Sequence, residues 1–323
     1  MSQKQTWQLS QVAVYKISAL GTEFEIHIPK IDLANSEDDS LQKLLQDELT
    51  RIEQKYSRFL DTSLLNSWNA HAKVDNTQWL ALDEESATLL RFALKEYRNS
   101  NGYFDISLKN RLEDLGYDKN YSFKSSDVTF VATDTPPFAL RTKQVFSQWR
   151  FVAQTQLQLY RAIEIGGFGK GYAVDSLATV LKQNGLCTFY INGGGDILVN
   201  TDTKTHADVY WILHLEHPTL PDRVLGEVVL QHGSLCASAP NKRKWADTHH
   251  LLNAKTGEPD DSMIGVFVTG KTAMAADALA TTLFSMGFAH ACNYAKAFKA
   301  DVLLISKSTE MFVTRHSILR VYS

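Results

Sequence analysis

The stretch Ile163-Glu-Ile-Gly-Gly-Phe-Gly-Lys-Gly-Tyr-Ala-Val-Asp175 concentrates groups that could hold an anion. Leu159 to Ile165 reads as a short, mostly apolar strand with Glu164 near its end. Glycines follow at Gly166, Gly167 and Gly169. From Tyr172 the apolar positions Tyr172, Ala173, Leu177, Val180 and Leu181 fall at helical spacing, with Asn184-Gly185 as the stop. A glycine-rich turn opening a helix lets the backbone approach a ligand and aims unpaired N–H groups at it. Lys170 adds a positive charge, so a phosphate or pyrophosphate is the matching ligand. Neither standard nucleotide motif fits. Gly171 stands where a P-loop needs Ser or Thr, and Gly167, Gly169 and Gly171 do not have the spacing G-x-G-x-x-G. A tight strand-to-helix turn without a ligand is the other reading of these glycines.

A second constellation is Asp277 with Thr281. Four residues apart on a predicted helix, they share one face, one turn apart, and carboxylate plus hydroxyl make a reasonable half-shell for a hard cation. The competing reading makes Asp277 an ordinary charge in a first helical turn and Thr281 a packing residue. The adjacent pair His249-His250 reads, by itself, as structural or surface histidines in a loop.

Composition narrows the class. The chain has 323 residues, enough for one large domain or two ordinary ones. A net charge of −3 gives no general attraction to nucleic acid or anionic membrane. No apolar run is long enough to span a bilayer as a helix, and the first residues carry neither a signal core nor an early lipobox-like Cys, which leads to the expectation of a cytoplasmic protein. Cys187, Cys236 and Cys292 are odd in number and far apart, so they read as free thiols, not as a disulfide framework or metal site.

The elements that must position these groups alternate irregularly. Gln11 to Pro29 reads as two strands around Leu20-Gly21-Thr22, Ser36 to Tyr56 as an amphipathic helix, and Asp83 to Tyr97 as a second helix. Ser122 to Gln148 is weakly patterned and reads as connection with short strands. Thr188 to Val199 reads as strand, turn, strand, with Asn192-Gly-Gly-Gly-Asp196 a structural turn in which Asp196 takes no catalytic role. Val209 to Leu215 and Val224 to Leu230 read as paired strands, and Ser234 to Ser238 as another. Met263 to Thr269 leads into a helix over Ala273 to Met286, followed by a helix over Ala289 to Ala300 and strands over Asp301 to Ile305 and Met311 to Thr314. Hairpins mixed with helices point to α+β or mixed α/β.

In this order Leu20-Gly-Thr22, Tyr56-Ser-Arg-Phe59, Phe104-Asp-Ile-Ser107, Gly166-Gly-Phe-Gly-Lys-Gly-Tyr-Ala-Val-Asp175, Asn192-Gly-Gly-Gly-Asp196, His249-His250 with Lys255-Thr-Gly257, and Ala276-Asp-Ala-Leu-Ala-Thr281 resemble the ApbE family of FAD:protein FMN transferases. The resemblance covers about residues 12–315, leaving 1–11 as an N-terminal extension and 316–323 as a tail. It implies a single T-fold-like α/β (α+β) domain with a mixed, largely antiparallel sheet and packed helices. It implies an enzyme that uses Mg²⁺ and takes FAD as substrate, moving FMN onto a Thr or Ser hydroxyl of a target flavoprotein and releasing AMP. An FAD pyrophosphatase giving FMN and AMP, and a non-catalytic flavin-binding protein, are the alternatives. Because family members are commonly exported and lipid-anchored, a periplasmic or membrane-anchored protein with its leader removed is the alternative location.

Carried over residue by residue, the resemblance makes His250 the general base and assigns the metal to Asp277, Thr281 and the backbone carbonyls of Gly167 and Ala280. It assigns FAD to Leu20, Tyr56, Phe104, Asp105, Ile106, Glu164, Lys170 and Leu251. Tyr56 would stack on the flavin, although it is equally suited to end its helix in the core, and Phe104-Asp-Ile106 also reads as a plain strand. Some positions depart from the family pattern. Leu20 replaces Met, Glu164 replaces Asp, Lys109-Asn-Arg111 replaces a segment with Pro, Ala237-Ser-Ala-Pro240 replaces Thr-Ser-Gly, and Asn253-Ala-Lys255 replaces Asp-Pro-Arg. Exchanging Arg for Lys removes a bidentate phosphate fork, so these changes bear on transfer and acceptor choice more than on FAD binding.

Overall fold

Leu20 and Gly21 close the first hairpin, and both have positive φ, +53° and +69°. Ala19 pairs with Thr22, so two left-handed residues join strands Val12–Ala19 and Thr22–Pro29, the loop whose twist matches that of the strands it joins. The computed structural model describes residues 5–33, 38–74, 77–126, 128–147, 150–220, 222–242, 244–245, 248–297, 300–315 and 317–322. Among them lie helices α1 (Asp38–Tyr56), α2 (Leu64–Val74), α3 (Glu84–Asn99), α4 (Lys109–Asp114), α5 (Gly169–Gln183), α6 (Ala273–Met286) and α7 (Phe288–Ala295). None is long and apolar enough to cross a membrane.

The chain divides into two compact units interleaved in sequence: Met1–Glu53, Gly167–Arg243 and Asp260–Ser323 form one, and Gln54–Gly166 with Lys244–Pro259 form the other. Eight antiparallel strands make the main sheet of the first unit, in the order Met311–Val313, Val302–Ser306, Met263–Gly270, His232–Ser238, Asp196–Asn200, Phe189–Gly193, Thr22–Pro29 and Val12–Ala19. Helices α5 and α6 pack on it and on each other. Ile197, Val199, Leu235, Phe267, Leu303 and Ile305 meet Trp211, Leu213, Leu215 and Val228 of a second, four-stranded sheet. Central strands are therefore covered on both faces, which is why positions 302–305 of strand Val302–Ser306 are apolar in succession instead of alternating.

The second unit holds α2, α3 and α4 and a ten-residue ribbon, Phe138–Ser147 against Arg150–Leu159. Asp83 caps α3 by accepting the Ser86 N–H, and Leu89, Leu90, Ala93, Leu94 and Tyr97 make its buried face.

The sheet, the hairpins and α6 fall where the sequence places them, and several other segments differ. The strand expected over Leu159 to Ile165 is Arg150–Leu159 instead, and residues 160–165 leave the ladder because other groups satisfy their backbone. Tyr160 and Arg161 donate N–H to the Pro137 carbonyl, and Glu164 donates to Ile106. The ribbon strand Phe138–Ser147 replaces the short strands expected before Gln148, which itself lies outside the described residues. Helix α2 was not expected. It is short and its apolar residues are interrupted by polar ones, but Leu65, Trp68 and Asn69 bury one face and the Ser63 hydroxyl accepts the Asn66 N–H at its start. Helix α7 stops at Ala295, short of the expected Ala300, and residues 298 and 299 lie outside the described set, as does the expected helix start at Ser36.

Candidate functional site

In the first unit, α5 begins after Phe168, a fully buried residue that supplies no side-chain cap. Its opening N–H groups must find other partners. One of them, on Gly171, donates to Asp277 Oδ2 of α6 at 3.0 Å. Asp277 is only 2% exposed. The reverse tie comes from Asp175 of α5, whose two carboxylate oxygens accept the Ala273 and Met274 N–H groups at 2.8 and 2.9 Å. Each helix thus places a carboxylate against backbone N–H groups at the start of the other. Burial pushes the Asp175 carboxyl up, and the two N–H donors oppose that shift without cancelling it.

Lys170 reaches into the same place. Its Nζ lies 3.7 Å from Asp277 Oδ2 and makes a shorter contact with Asp196 Oδ2. Asp196 opens strand Asp196–Asn200 directly after Gly194 and Gly195, which turn with φ of +70° and +105°. Asp196 is fully buried. The buried Cys236 thiol donates to the Ala273 carbonyl at 3.4 Å, and burial together with Asp196 and Asp277 pushes its pKa well up. Of the residues expected to hold a metal, Asp277 and Ala280 are buried, while Gly167 and Thr281 are half-buried, with Thr281 one turn beyond Asp277 on α6.

That donor set suits a hard cation. It offers a carboxylate, a hydroxyl and carbonyl oxygens, with no thiolate or imidazole. The two buried carboxylates Asp196 and Asp277 outnumber the one ammonium, and a divalent cation would reverse this balance in favour of an anion. Among the described residues no group of three or more His, Cys, Asp or Glu side chains is placed to hold a metal, so a metal here would draw on backbone carbonyl and hydroxyl oxygens beside the Asp277 carboxylate. Leu20, also in this unit, is half-buried in its left-handed turn and donates its N–H to Glu53 at 3.1 Å.

In the second unit the structure brings Phe104, Asp105, Ile106 and Glu164 together. Residues 104–107 form a turn and not a strand. Phe104 is buried, and Asp105 Oδ1 accepts from the Ser107 N–H and hydroxyl while its Oδ2 faces Arg161 at 3.7 Å. The Ile106 carbonyl accepts the Glu164 N–H at 2.8 Å, and Glu164 Oε2 accepts the Gly166 N–H at 2.6 Å. The side-chain amide of Asn69 pairs with Ile163 through both its oxygen and its nitrogen, each at 2.8 Å, standing in for a neighbouring strand.

Tyr56 is not among this group. It is 3% exposed, its hydroxyl shares a 2.9 Å hydrogen bond with Ser86, and its ring packs near Trp68. These contacts are those of a residue that ends its helix in the core.

The two histidines separate clearly. His249 is 3% exposed and sits in a short strand, its Nδ1 accepting the Leu251 N–H at 3.2 Å. His250 is half-buried, with its ring centroid 6.4 Å from that of Tyr117. Leu251 is buried. The next loop is tight. Asn253 Oδ1 accepts the Lys255 N–H, the Asn253 carbonyl accepts from Thr256 and Gly257, and Gly257 has φ of +69°. Arg111 of α4 holds this loop through the Gly257 carbonyl and the Glu258 carboxylate. Lys255 lies over the Tyr103 ring, 3.6 Å from Asp134.

Three contributors have no part in the site as read from sequence. Asp196 is a carboxylate heading an otherwise apolar run after three glycines. Asn69 is polar on the buried face of a helix. Arg111 is a cation between Leu108 and Leu112. A charged or amide side chain at a position that must be buried is the signal common to all three.

The ApbE family model matches residues 20–304. The FAD:protein FMN transferase of Buchnera aphidicola subsp. Schizaphis graminum is 26% identical over 313 residues, covering 93% of this chain and 87% of the relative. The FAD:protein FMN transferase of Escherichia coli K12 is 22% identical over 317 residues, covering 94% and 87%. Among solved structures, the ApbE protein of Thermotoga maritima superposes with a TM-score of 0.76 at 21% identity, covering 94% of this chain and 97% of that one. The flavin transferase ApbE of Vibrio cholerae gives 0.75 at 18%, with the same coverage. At these identities the structural likeness speaks for the fold.

Proposed function

Because the chain belongs to the ApbE family, we propose that it is a Mg²⁺-dependent FAD:protein FMN transferase acting on a Thr or Ser hydroxyl of a target flavoprotein. The observation that carries this reading is the buried set at the starts of α5 and α6. Lys170, Asp277 and the α5 N–H groups converge there as a pyrophosphate would require. The relatives named as FAD:protein FMN transferases support the choice of substrate.

Breaking the pyrophosphate of FAD needs a base, an in-line oxygen nucleophile and relief of phosphate charge. His250 takes the proton from the acceptor hydroxyl. The freed oxygen bonds to the phosphorus on the FMN side, the bond from that phosphorus to the bridging oxygen breaks, and AMP leaves with the bridging oxygen. Lys170 attracts the phosphate oxygens throughout. Mg²⁺, with Gly167, Asp277, Ala280 and Thr281 to hold it, would neutralise phosphate charge as a Lewis acid. Phe104, Asp105, Ile106, Glu164 and Leu251 orient the flavin end. Glu164 is one methylene longer than the usual Asp, and the Gly166 N–H it accepts restrains where its carboxylate reaches.

The test is AMP release from FAD with a Thr-containing flavoprotein domain as acceptor, with Mg²⁺ or EDTA, on the native chain and on Asp277→Ala. Mg²⁺-dependent AMP and an acid-stable flavin on the acceptor, both lost in the variant, are expected. AMP with flavin only in solution would mean hydrolysis. Tight FAD binding with no AMP in any mixture would overturn the enzyme reading.

A further inference from the structure

We propose that Asp196 is a positioning residue that holds the Lys170 ammonium away from Asp277, so that lysine and a divalent cation can act on one substrate together. The proposal rests on the metal reading above and assigns a part to a residue outside it.

Three facts carry it. Asp196 is fully buried, one oxygen engages Lys170, and the other, Oδ1, has no hydrogen-bond partner among the described residues. A buried carboxylate satisfied on one side only adds little to stability by itself, so its presence calls for another explanation. The Lys170 ammonium also has two carboxylates within reach, and it sits closer to Asp196 than to Asp277 at 3.7 Å. Without the Asp196 charge, Asp277 becomes the nearest counter-charge. The ammonium would then cover the oxygens on which a cation depends. Finally, the Asp196 backbone is rigid. It opens a strand paired on both edges, and the turn before it is pinned by the Gly195 N–H donating to Asn192 Oδ1 at 2.8 Å. A carboxylate fixed this way can hold a flexible lysine side chain in one place.

With Asp196 present, the lysine and a cation can coexist as two separate positive charges, which matches a pyrophosphate carrying two negative ones. The buried Cys236 thiol, which donates to the Ala273 carbonyl at the start of α6, is a neighbour of the same helix start.

The experiment is calorimetric titration of Mg²⁺ alone into the full chain and into Asp196→Asn, Lys170→Met and the double variant, each checked by thermal melting. Asp196→Asn is expected to weaken Mg²⁺ binding about 10-fold or more, and Lys170→Met placed on top of it to restore binding to within about threefold of the native chain, the coupling that a shared contact produces. Asp196→Asn binding Mg²⁺ within about twofold of the native chain, or a double variant as weak as the single one, would overturn the proposal. If Asp196→Asn does not fold, the charge-balanced double variant decides, and Mg²⁺ binding about 10-fold weaker than native overturns it. A native chain that binds no Mg²⁺ removes the metal assignment and this proposal together. Native binding that Asp196→Asn leaves unmoved removes this proposal alone.

Discussion

Asp277 accepts the backbone N–H of Gly171 at 3.0 Å, so the carboxylate proposed for the metal is also the group that fixes the start of α5. At Gly171 the two helices come together so closely that a Cβ would lie 2.5 Å from the Ala273 carbonyl oxygen and 2.7 Å from its carbon. Both are backbone atoms and cannot rotate away.

Gly171→Ala should therefore force α5 and α6 apart. A loss of about 1–3 kcal/mol in denaturant unfolding is expected, the usual range for overpacking. Activity should fall further than stability alone explains, because Asp277 loses its register with Lys170. An alanine variant with native stability would show that the helices tolerate a wider spacing.

The histidines should separate by experiment. His250→Ala is expected to lower AMP release by about 10²–10⁴-fold, the range for loss of a general base, with the melting temperature nearly unchanged. His249→Ala removes a buried acceptor from the Leu251 N–H and should instead destabilise the chain by about 1–3 kcal/mol. Exchanged phenotypes would move the base to His249.

Asp175 gives a pH signature. Burial raises its folded pKa above the unfolded value, so in the window between the two the folded state binds the extra proton. Its contribution to stability is thus full below the ordinary carboxylate range and falls as pH rises through that window. Asp175→Asn has no such titration. The stability of the variant relative to the native chain, measured by urea unfolding from pH 3.5 upward, should rise with pH and then level off. A flat difference would show that Asp175 titrates alike in both states.

Asn253 tests a departure from the family. Its Oδ1 accepts the Lys255 N–H at 2.9 Å, a task that an aspartate oxygen performs equally well. Asn253→Asp should leave stability and AMP release within about twofold of native, whereas Asn253→Ala should lose about 1 kcal/mol as the loop gives up that bond. A large gain of transfer in Asn253→Asp would mean that the usual carboxylate acts on substrate.

Much of this was legible in the sequence because regular patterns and positive-φ turns leave local marks. Leu20-Gly21, Asn184-Gly185 and Gly194-Gly195 mark two hairpins and a helix end, and α6 begins and ends at the expected residues. Asp277 and Lys170 also fall where their motifs put them. The strand over Leu159 to Ile165 was misread because apolar residues there are buried without a ladder, held by Asn69, Pro137 and Ile106 from distant parts of the chain. The part played by Asp196 was hidden for a related reason. A glycine turn announces its own geometry, but nothing local shows that its last residue meets a lysine 26 positions earlier.

The interleaving of the two units also dictates an order of assembly. Strand Met263–Gly270 lies inside the eight-stranded sheet, between His232–Ser238 and Val302–Ser306. As the chain emerges from a ribosome, the first hairpin and the strands up to Ser238 can pair while His232–Ser238 still presents a bare edge of unpaired N–H and C=O groups. That edge must wait for a strand made after the chain has completed its second departure into the other unit. During this interval the nascent protein is open to mispairing, and the helix that carries Asp277 does not yet exist. The residues proposed for a metal are therefore completed only after the chain has returned from that second departure, so a chain stalled before that point would have most of the strands of its sheet but not the helix proposed to hold a cation.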